Sequence, residues 1–155
     1  MPILDESFTG IYLRHAKRTL GEVETVRVAL VNGEPVALAM LKAVAKEAGY
    51  VYYIAVRPSF RGKGMGSRLL IDSLDHFTRG GATEVYASVG EHNVESNALF
   101  LGQGFRKTDF GHVSKKYGPL KALLMYRSML VVPGEILLVK DTLTLPPSGS
   151  QSPSG

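Results

Sequence analysis

A single mixed α/β layer is the fold class predicted from three features of the 155-residue chain. Strand-like and helix-like stretches alternate from Tyr50 to Gln103, which requires strand-helix-strand crossovers and hence some parallel pairing. An Asn32-Gly33 pair lies between two largely apolar runs and predicts a hairpin, hence antiparallel pairing as well. Hydrophobic residues make up 45% and charged residues 21%, the balance of one globular domain with a single sizeable core.

The elements follow in order. Asp5 and Ser7 are candidate caps for a first helix with an apolar stripe of Phe8, Ile11, Tyr12 and Ala16, ended at Gly21. Val26–Val31 and Val36–Leu41 form the hairpin arms, with Pro35 tolerated at the mouth of the second. After a turn at Glu47–Gly49, the aromatic and β-branched run Tyr50–Val56 reads as a buried strand that Pro58 ends. Gly66–Arg79 is helical, with Leu70, Leu74 and Phe77 on one face and Gly80-Gly81 as a stop. Glu84–Val89 is a strand, and Asn93–Gln103 a short helix capped by Asn93 or His92. Strands are expected from Phe105 onward and over Leu123–Val132, and Pro133-Gly134 turns the chain into a last strand, Glu135–Leu145. One domain over residues 1–145 is expected, followed by a flexible Pro/Ser/Gly tail over residues 146–155.

Composition excludes several function classes. The chain has no cysteine, so disulfides, thiolate metal ligands and a cysteine nucleophile are ruled out. Its four histidines are scattered without metal-ligand spacing, and no metal is expected. A net charge of +4, with no basic stripe interleaved with aromatics, gives little support for nucleic-acid binding. No apolar run reaches the roughly 20 residues of a membrane span, and the N-terminus lacks a secretory layout. A cytoplasmic protein without a membrane partner is the expectation.

The stretch that carries chemistry is Val56-Arg57-Pro58-Ser59-Phe60-Arg61-Gly62-Lys63-Gly64-Met65-Gly66-Ser67, which joins the buried strand to the amphipathic helix. Its alternating glycines permit positive φ and close backbone approach to a ligand. The first N–H groups of the helix have no partner within it, and its dipole favours an anion there. Arg61 and Lys63 add positive charge. The segment is suited to phosphate, yet neither Gly-x-x-x-x-Gly-Lys-Ser/Thr nor Gly-x-Gly-x-x-Gly occurs in it.

What remains, Arg61-x-x-Gly64-x-Gly66, resembles the pyrophosphate loop of the GNAT superfamily of N-acetyltransferases. A second stretch resembles the same family: strand residues Ala87-Ser88-Val89, then Asn93, Leu99-Phe100 and a closing Gly104-Phe105. The likeness runs from the Asn32-Gly33 hairpin to about Tyr126. It implies an acetyl-CoA-dependent transferase acting on an amine, with a central mixed sheet flanked by helices and shortened on its N-terminal side. In this family two neighbouring strands splay and acetyl-CoA is wedged between them. Carried over, Ile54, Ala55 and Val56 would face the pantetheine arm, and the Val56 N–H would polarise the thioester carbonyl. Arg61, Gly62, Lys63, Gly64, Met65, Gly66 and Ser67 would hold the pyrophosphate. Asn93 and Phe100 would line the pantetheine side. The acceptor amine would attack directly, with no covalent enzyme intermediate.

The chain departs from the family where acid and base are expected. Phe100 replaces the usual acidic tyrosine, and Ser88 stands where some members place a glutamate. Tyr50 and Tyr52 share strand parity with Ile54 and Val56 and are expected to line the cleft. Tyr52, Ser88 and Glu91 are the substitutes considered for proton transfer. With few residues before the first clear strand, an open acceptor site is expected, suited to a peptide terminus or a lysine. The apolar Glu135–Leu145 segment is expected to complete a sheet, within one chain or across a homodimer. The competing reading is a catalytically degenerate domain that binds CoA as a sensor or assembly module.

Overall fold

A computed structural model describes residues 25–129 and 131–142, and the account below concerns these. The predicted first helix, the tail, and Leu143 and Leu145 lie outside the described residues.

The hairpin forms as its turn chemistry dictates. Strands β1 (Thr25–Val31) and β2 (Glu34–Ala45) are joined through Asn32 at φ +52° and Gly33 at φ +82°. A type I′ turn needs positive φ at both central residues, which Asn and Gly adopt most readily. β3 (Ala48–Val56) returns antiparallel to β2. A 3-10 turn, Pro58–Phe60, then leads through the glycine segment into helix α1 (Met65–Arg79), followed by β4 (Glu84–Gly90). Helix α2 (Val94–Gly102), β5 (Arg106–Thr108), helices α3 (Phe110–Tyr117) and α4 (Pro119–Met129), and β6 (Glu135–Asp141) complete the order.

The six strands run β1-β2-β3-β4-β6-β5 across one sheet. Only β3 and β4 are parallel, joined through α1 as a strand-helix-strand unit. Each face of the sheet carries helices. On one, Leu69, Leu70, Leu74 and Phe77 of α1 and Phe100 of α2 pack on Ala37, Ala39, Leu41, Val51, Val85 and Ala87. On the other, Val113 of α3 and Ala122, Met125 and Met129 of α4 cover Leu38, Met40, Tyr50, Tyr52, Tyr86, Leu137 and Val139. At Gly49 the strand passes so close to α1 that an added Cβ would lie 2.4 Å from the Phe77 ring.

Two expectations are corrected. Residues 119–129 are helix α4, not the start of a Leu123–Val132 strand. Pro119 starts the helix, Ala122, Met125 and Met129 fall on one face of it, and that face is buried. The buried residues of this apolar run recur with a helix's period. The strand after Phe105 is also short, because Asp109 accepts a hydrogen bond from the His112 N–H and starts α3.

The last strand inserts between β4 and β5, pairing antiparallel with both. It therefore lies inside one chain's own sheet. Its Leu137, Leu138 and Val139 are buried there without a second subunit.

Candidate functional site

The site begins where β3 and β4 part. Their parallel pairing covers only Ala48↔Glu84 through Val51↔Ala87, after which β3 continues to Val56 and β4 to Gly90 without pairing to one another. The pairing of β2 with β3 slips at the same level, between Met40↔Tyr53 and Leu41↔Val51, leaving an extra residue on β3. Such a bulge bends its strand and re-aims the side chains beyond it.

The bulge also overturns the expected parity. Tyr50 and Tyr52 point into the cluster under α3 and α4, whereas Ile54 and Val56 pack toward the α1 side. A one-residue slip moves every later side chain to the other face.

Beyond the splay, the glycine segment folds as a phosphate-binding turn requires. Gly62 and Gly64 sit at φ +75° and +79°, with nothing within 4 Å of where a Cβ would be. Gly64 is the N-cap of α1 and offers no side-chain hydrogen bond to the helix, whose first turn holds no acidic residue. Its first amides are thus left for a ligand, with the helix dipole favouring an anion. Gly66 is helical, and a Cβ there would meet Leu99 of α2 at 3.5 Å.

Together these elements enclose a cavity of about 540 Å³ lined by Ile54, Ala55, Val56, Arg61, Gly62, Gly64, Met65, Gly66, Ser67 and Asn93, with Phe60, Glu95, Ser96 and Leu99. Ten residues singled out in the sequence are thereby brought together across 40 positions. Arg61 donates through Nε to the Val56 carbonyl at 3.0 Å, tying the loop to the end of β3. Lys63 does not line the cavity; its Nζ lies 5.3 Å from the centre of the Phe60 ring.

A smaller cavity of about 80 Å³ continues from it, sharing Ile54, Asn93, Ser96 and Leu99 and adding Tyr52, Tyr53, Ser88, Val89, Gly90, Phe100 and Glu135. Phe100 is buried edge-on against Phe105. The Tyr50 and Ser88 hydroxyls are hydrogen-bonded to one another, and Tyr52 donates to the Ser128 carbonyl of α4. Burial pushes the Tyr50 hydroxyl far above the ordinary tyrosine range, and the charge of Glu135 adds to that. Glu91 is exposed on the turn after β4, where its N–H donates to the Gly134 carbonyl at 2.8 Å, and it lines neither cavity.

The turn into α2 is locked by its asparagines. Asn93 Oδ1 accepts from the Ser96 N–H at 3.0 Å, and Asn97 Nδ2 donates to the Gly90 and Asn93 carbonyls at 3.0 and 2.8 Å. Leu99 belongs to the Leu99-Phe100 pair of the resemblance, and Ser96, which follows Asn93 at helical spacing, was reachable from the sequence. Glu135 was not: it arrives from the far side of α3 and α4, paired with Gly90. The expectation of an open acceptor site concerns residues before Thr25, which lie outside the described residues.

A cosubstrate with a diphosphate fits this site on one observation: two left-handed glycines with open space before them lead into an uncapped helix N-terminus. Among the described residues, no three His, Cys, Asp or Glu side chains gather to hold a metal ion, and no helix is long and apolar enough to cross a membrane.

Comparison with known proteins agrees with this geometry. The model of the acetyltransferase (GNAT) family matches residues 3–105. A mycothiol acetyltransferase from a Nocardioides species is 33% identical over 63 residues, 41% of this chain and 21% of that protein. The match thus spans about a fifth of that relative's length. Among solved structures, an IAA acetyltransferase from Bacillus cereus superposes with a TM-score of 0.65 at 21% identity, covering 90% of this chain and 89% of its own. The Escherichia coli ribosomal-protein-S18-alanine N-acetyltransferase gives 0.64 at 19% identity, over 90% and 83%. A GNAT family acetyltransferase from Elizabethkingia anophelis, solved with acetyl-CoA bound, gives 0.62 at 20% identity, over 83% and 82%. A phosphate-suited glycine turn at a splayed strand pair, and a family match over most of the chain, lead to one conclusion: this chain belongs to the acetyltransferase (GNAT) family.

Proposed function

We propose that this chain transfers the acetyl group of acetyl-CoA to a primary amine carried on a peptide, a protein or a small molecule. One observation carries the reading: the larger cavity runs from the uncapped N-terminus of α1 to the stretch of β3 that lies beyond its last pair with β4, Val51↔Ala87. Acetyl-CoA bound there supplies an activated acetyl group as a thioester. The Gly62–Ser67 segment holds the diphosphate by its amides, with Arg61 fixing the segment and Lys63 supplying charge. Ile54, Ala55 and Val56 align the pantetheine arm, and the Val56 N–H stabilises the oxygen that gains charge as the amine attacks. Asn93 and Phe100 close the far wall, where Phe100 keeps water from the reacting end. Holding two reactants side by side supplies much of the rate, so a dedicated acid is dispensable when a thiolate departs.

Titration with CoA should move the backbone amides of Gly62–Ser67 in an NMR spectrum. A mass-spectrometric screen over peptides, polyamines and aminoglycosides should then find an acetylated product. Amides that ignore CoA would defeat the reading.

A second reading is favoured by Phe100 and Ser88, which fill the family's acid and base positions with groups that do not exchange protons readily. A CoA-binding module without turnover would give the same amide shifts and no acetylated product.

A further inference from the structure

Proton transfer is the part of the reaction for which the sequence offered no secure residue. In the smaller cavity the hydroxyls are largely engaged: Tyr50 with Ser88, and Tyr52 with the Ser128 carbonyl. Phe100 has no proton to exchange. Among the described residues lining this cavity, Glu135 is the sole carboxylate. The other titratable groups on it are Tyr52 and Tyr53 of β3, with Tyr50 behind Ser88; Glu95 of α2 opens onto the larger cavity instead.

The position of Glu135 is set by backbone rather than by chance. It starts β6 opposite Gly90, and Ser88 pairs with Leu137 two places on. Ser88, Gly90, Glu135 and Leu137 therefore share one sheet face, and a diagonal pair such as Ser88 and Glu135 lies roughly 7–8 Å apart at Cα. The turn before it is closed twice. The Glu135 N–H donates to the Val132 carbonyl at 3.1 Å, and the Val132 N–H donates to Glu135 Oε2 at 3.2 Å. One carboxylate oxygen thus anchors the side chain. Glu135 is half-buried, so its charge faces a cavity only partly screened by water.

We propose that Glu135 binds the protonated primary aliphatic amine of the acceptor and takes the proton that must leave before the nitrogen can attack. This rests on the acetyl-transfer reading above. The ammonium gives one proton to the Glu135 carboxylate, which passes it to solvent. The nitrogen then forms its bond to the acetyl carbonyl carbon as the carbon–sulfur bond breaks with its electron pair on sulfur. The second proton lost by nitrogen ends on that sulfur. The acceptor class is a primary amine on an aliphatic or peptide stem, of which only the ammonium end enters the cavity of about 80 Å³.

The test uses the full chain labelled with ¹³C at its glutamate carboxyl groups, with and without CoA, titrated with n-butylamine hydrochloride. The Glu135 resonance is the one missing from E135Q. It should move with butylammonium and stay still with N-butylacetamide, which has no charge. In thiol-release assays with n-butylamine as acceptor, E135Q should lose roughly a hundredfold in turnover while its affinity for acetyl-CoA stays unchanged. Glutamine keeps a carbonyl oxygen for the Val132 N–H, so E135Q retains the turn. Should E135Q nevertheless unfold, Glu135→Asp, which keeps a carboxylate on the turn and also lacks the labelled glutamate, supplies the assignment, and the wild-type titration decides. A Glu135 resonance indifferent to butylammonium, or an E135Q variant with wild-type turnover, overturns the assignment. Amides of Gly62–Ser67 that ignore CoA would instead sink the acetyl-transfer reading, and the titration of the CoA-free protein would still report on Glu135 separately.

Discussion

At Gly64 the backbone sits at φ +79° with open space where a side chain would project, so a Cβ there meets strain without a clash. Gly64→Ala should therefore fold, at a cost of about 1–2 kcal/mol for a left-handed L-residue. Its affinity for CoA should fall roughly tenfold as the loop relaxes away from the ligand. Gly66 differs, because its Cβ would make an ordinary 3.5 Å contact with Leu99 in a helical backbone. Gly66→Ala should leave both quantities nearly unchanged, and equal losses in the two variants, measured by calorimetry and thermal unfolding, would contradict the distinction. The motif made these glycines legible in the sequence; the conformation of each was not, since spacing alone does not separate a turn glycine from a helical one.

Among the elements, β3 and α1 are packed tightly at the end away from the cleft. β3 approaches Phe77 so closely at Gly49 that a Cβ would lie within 2.4–2.6 Å of three ring atoms. Gly49→Ala should destabilise the protein by about 1–3 kcal/mol as an overpacked site, read in a denaturant midpoint. An unchanged midpoint would mean that the ring swings aside freely. Elsewhere α1 is fastened to β1 by the Arg27–Asp72 pair, with contacts of 2.6 and 2.9 Å. Its groups are partly exposed, so it contributes little beyond orientation. The expected Leu123–Val132 strand gives way to α4 because its buried residues recur with a helix's period, whereas the flipped parity of Tyr50 and Tyr52 depends on one extra residue in a ladder, which alternation in a sequence does not record.

Across the whole molecule, β6 is the element that makes the sheet one body. It lies between β4 and β5 and buries Leu137, Leu138 and Val139. Burying three such side chains contributes about 5–9 kcal/mol, comparable to the about 5–15 kcal/mol that holds a domain folded. A chain ending at Val132 should accordingly lose cooperative unfolding, and a truncated chain with a sharp wild-type transition would refute this. At the end of β4 away from the cleft, Glu84 is buried and accepts from Tyr86 at 2.8 Å and Tyr117 at 2.7 Å, with Lys116 Nζ at 3.0 Å. Burial pushes its carboxyl up, but these donors outweigh burial and hold it below the ordinary value of 4.5. The folded state therefore binds this proton less readily than the unfolded state. The stabilisation is complete above the ordinary carboxylate range and is lost as pH falls through the lower folded value. Asp72 beside Arg27 and Glu47 beside Lys121 are shifted in the same direction. Glu84→Gln should be less stable than wild type at neutral pH, with the gap narrowing as the solution is acidified below 4.5. A gap constant with pH would exclude this linkage.

Local sequence suffices for the mixed α/β class, the Asn32-Gly33 hairpin and the glycine segment at a helix start, and it narrows the cap of α2 to Asn93 or His92. Each is written in a few adjacent residues whose backbone preferences are local. The tertiary structure alone decided where β6 inserts, which way Tyr50 and Tyr52 face, and that Glu135 reaches the cavity beside Ser88. Those outcomes depend on long-range strand pairing and on a single bulge, and pairing between distant segments follows from the packing of the whole chain.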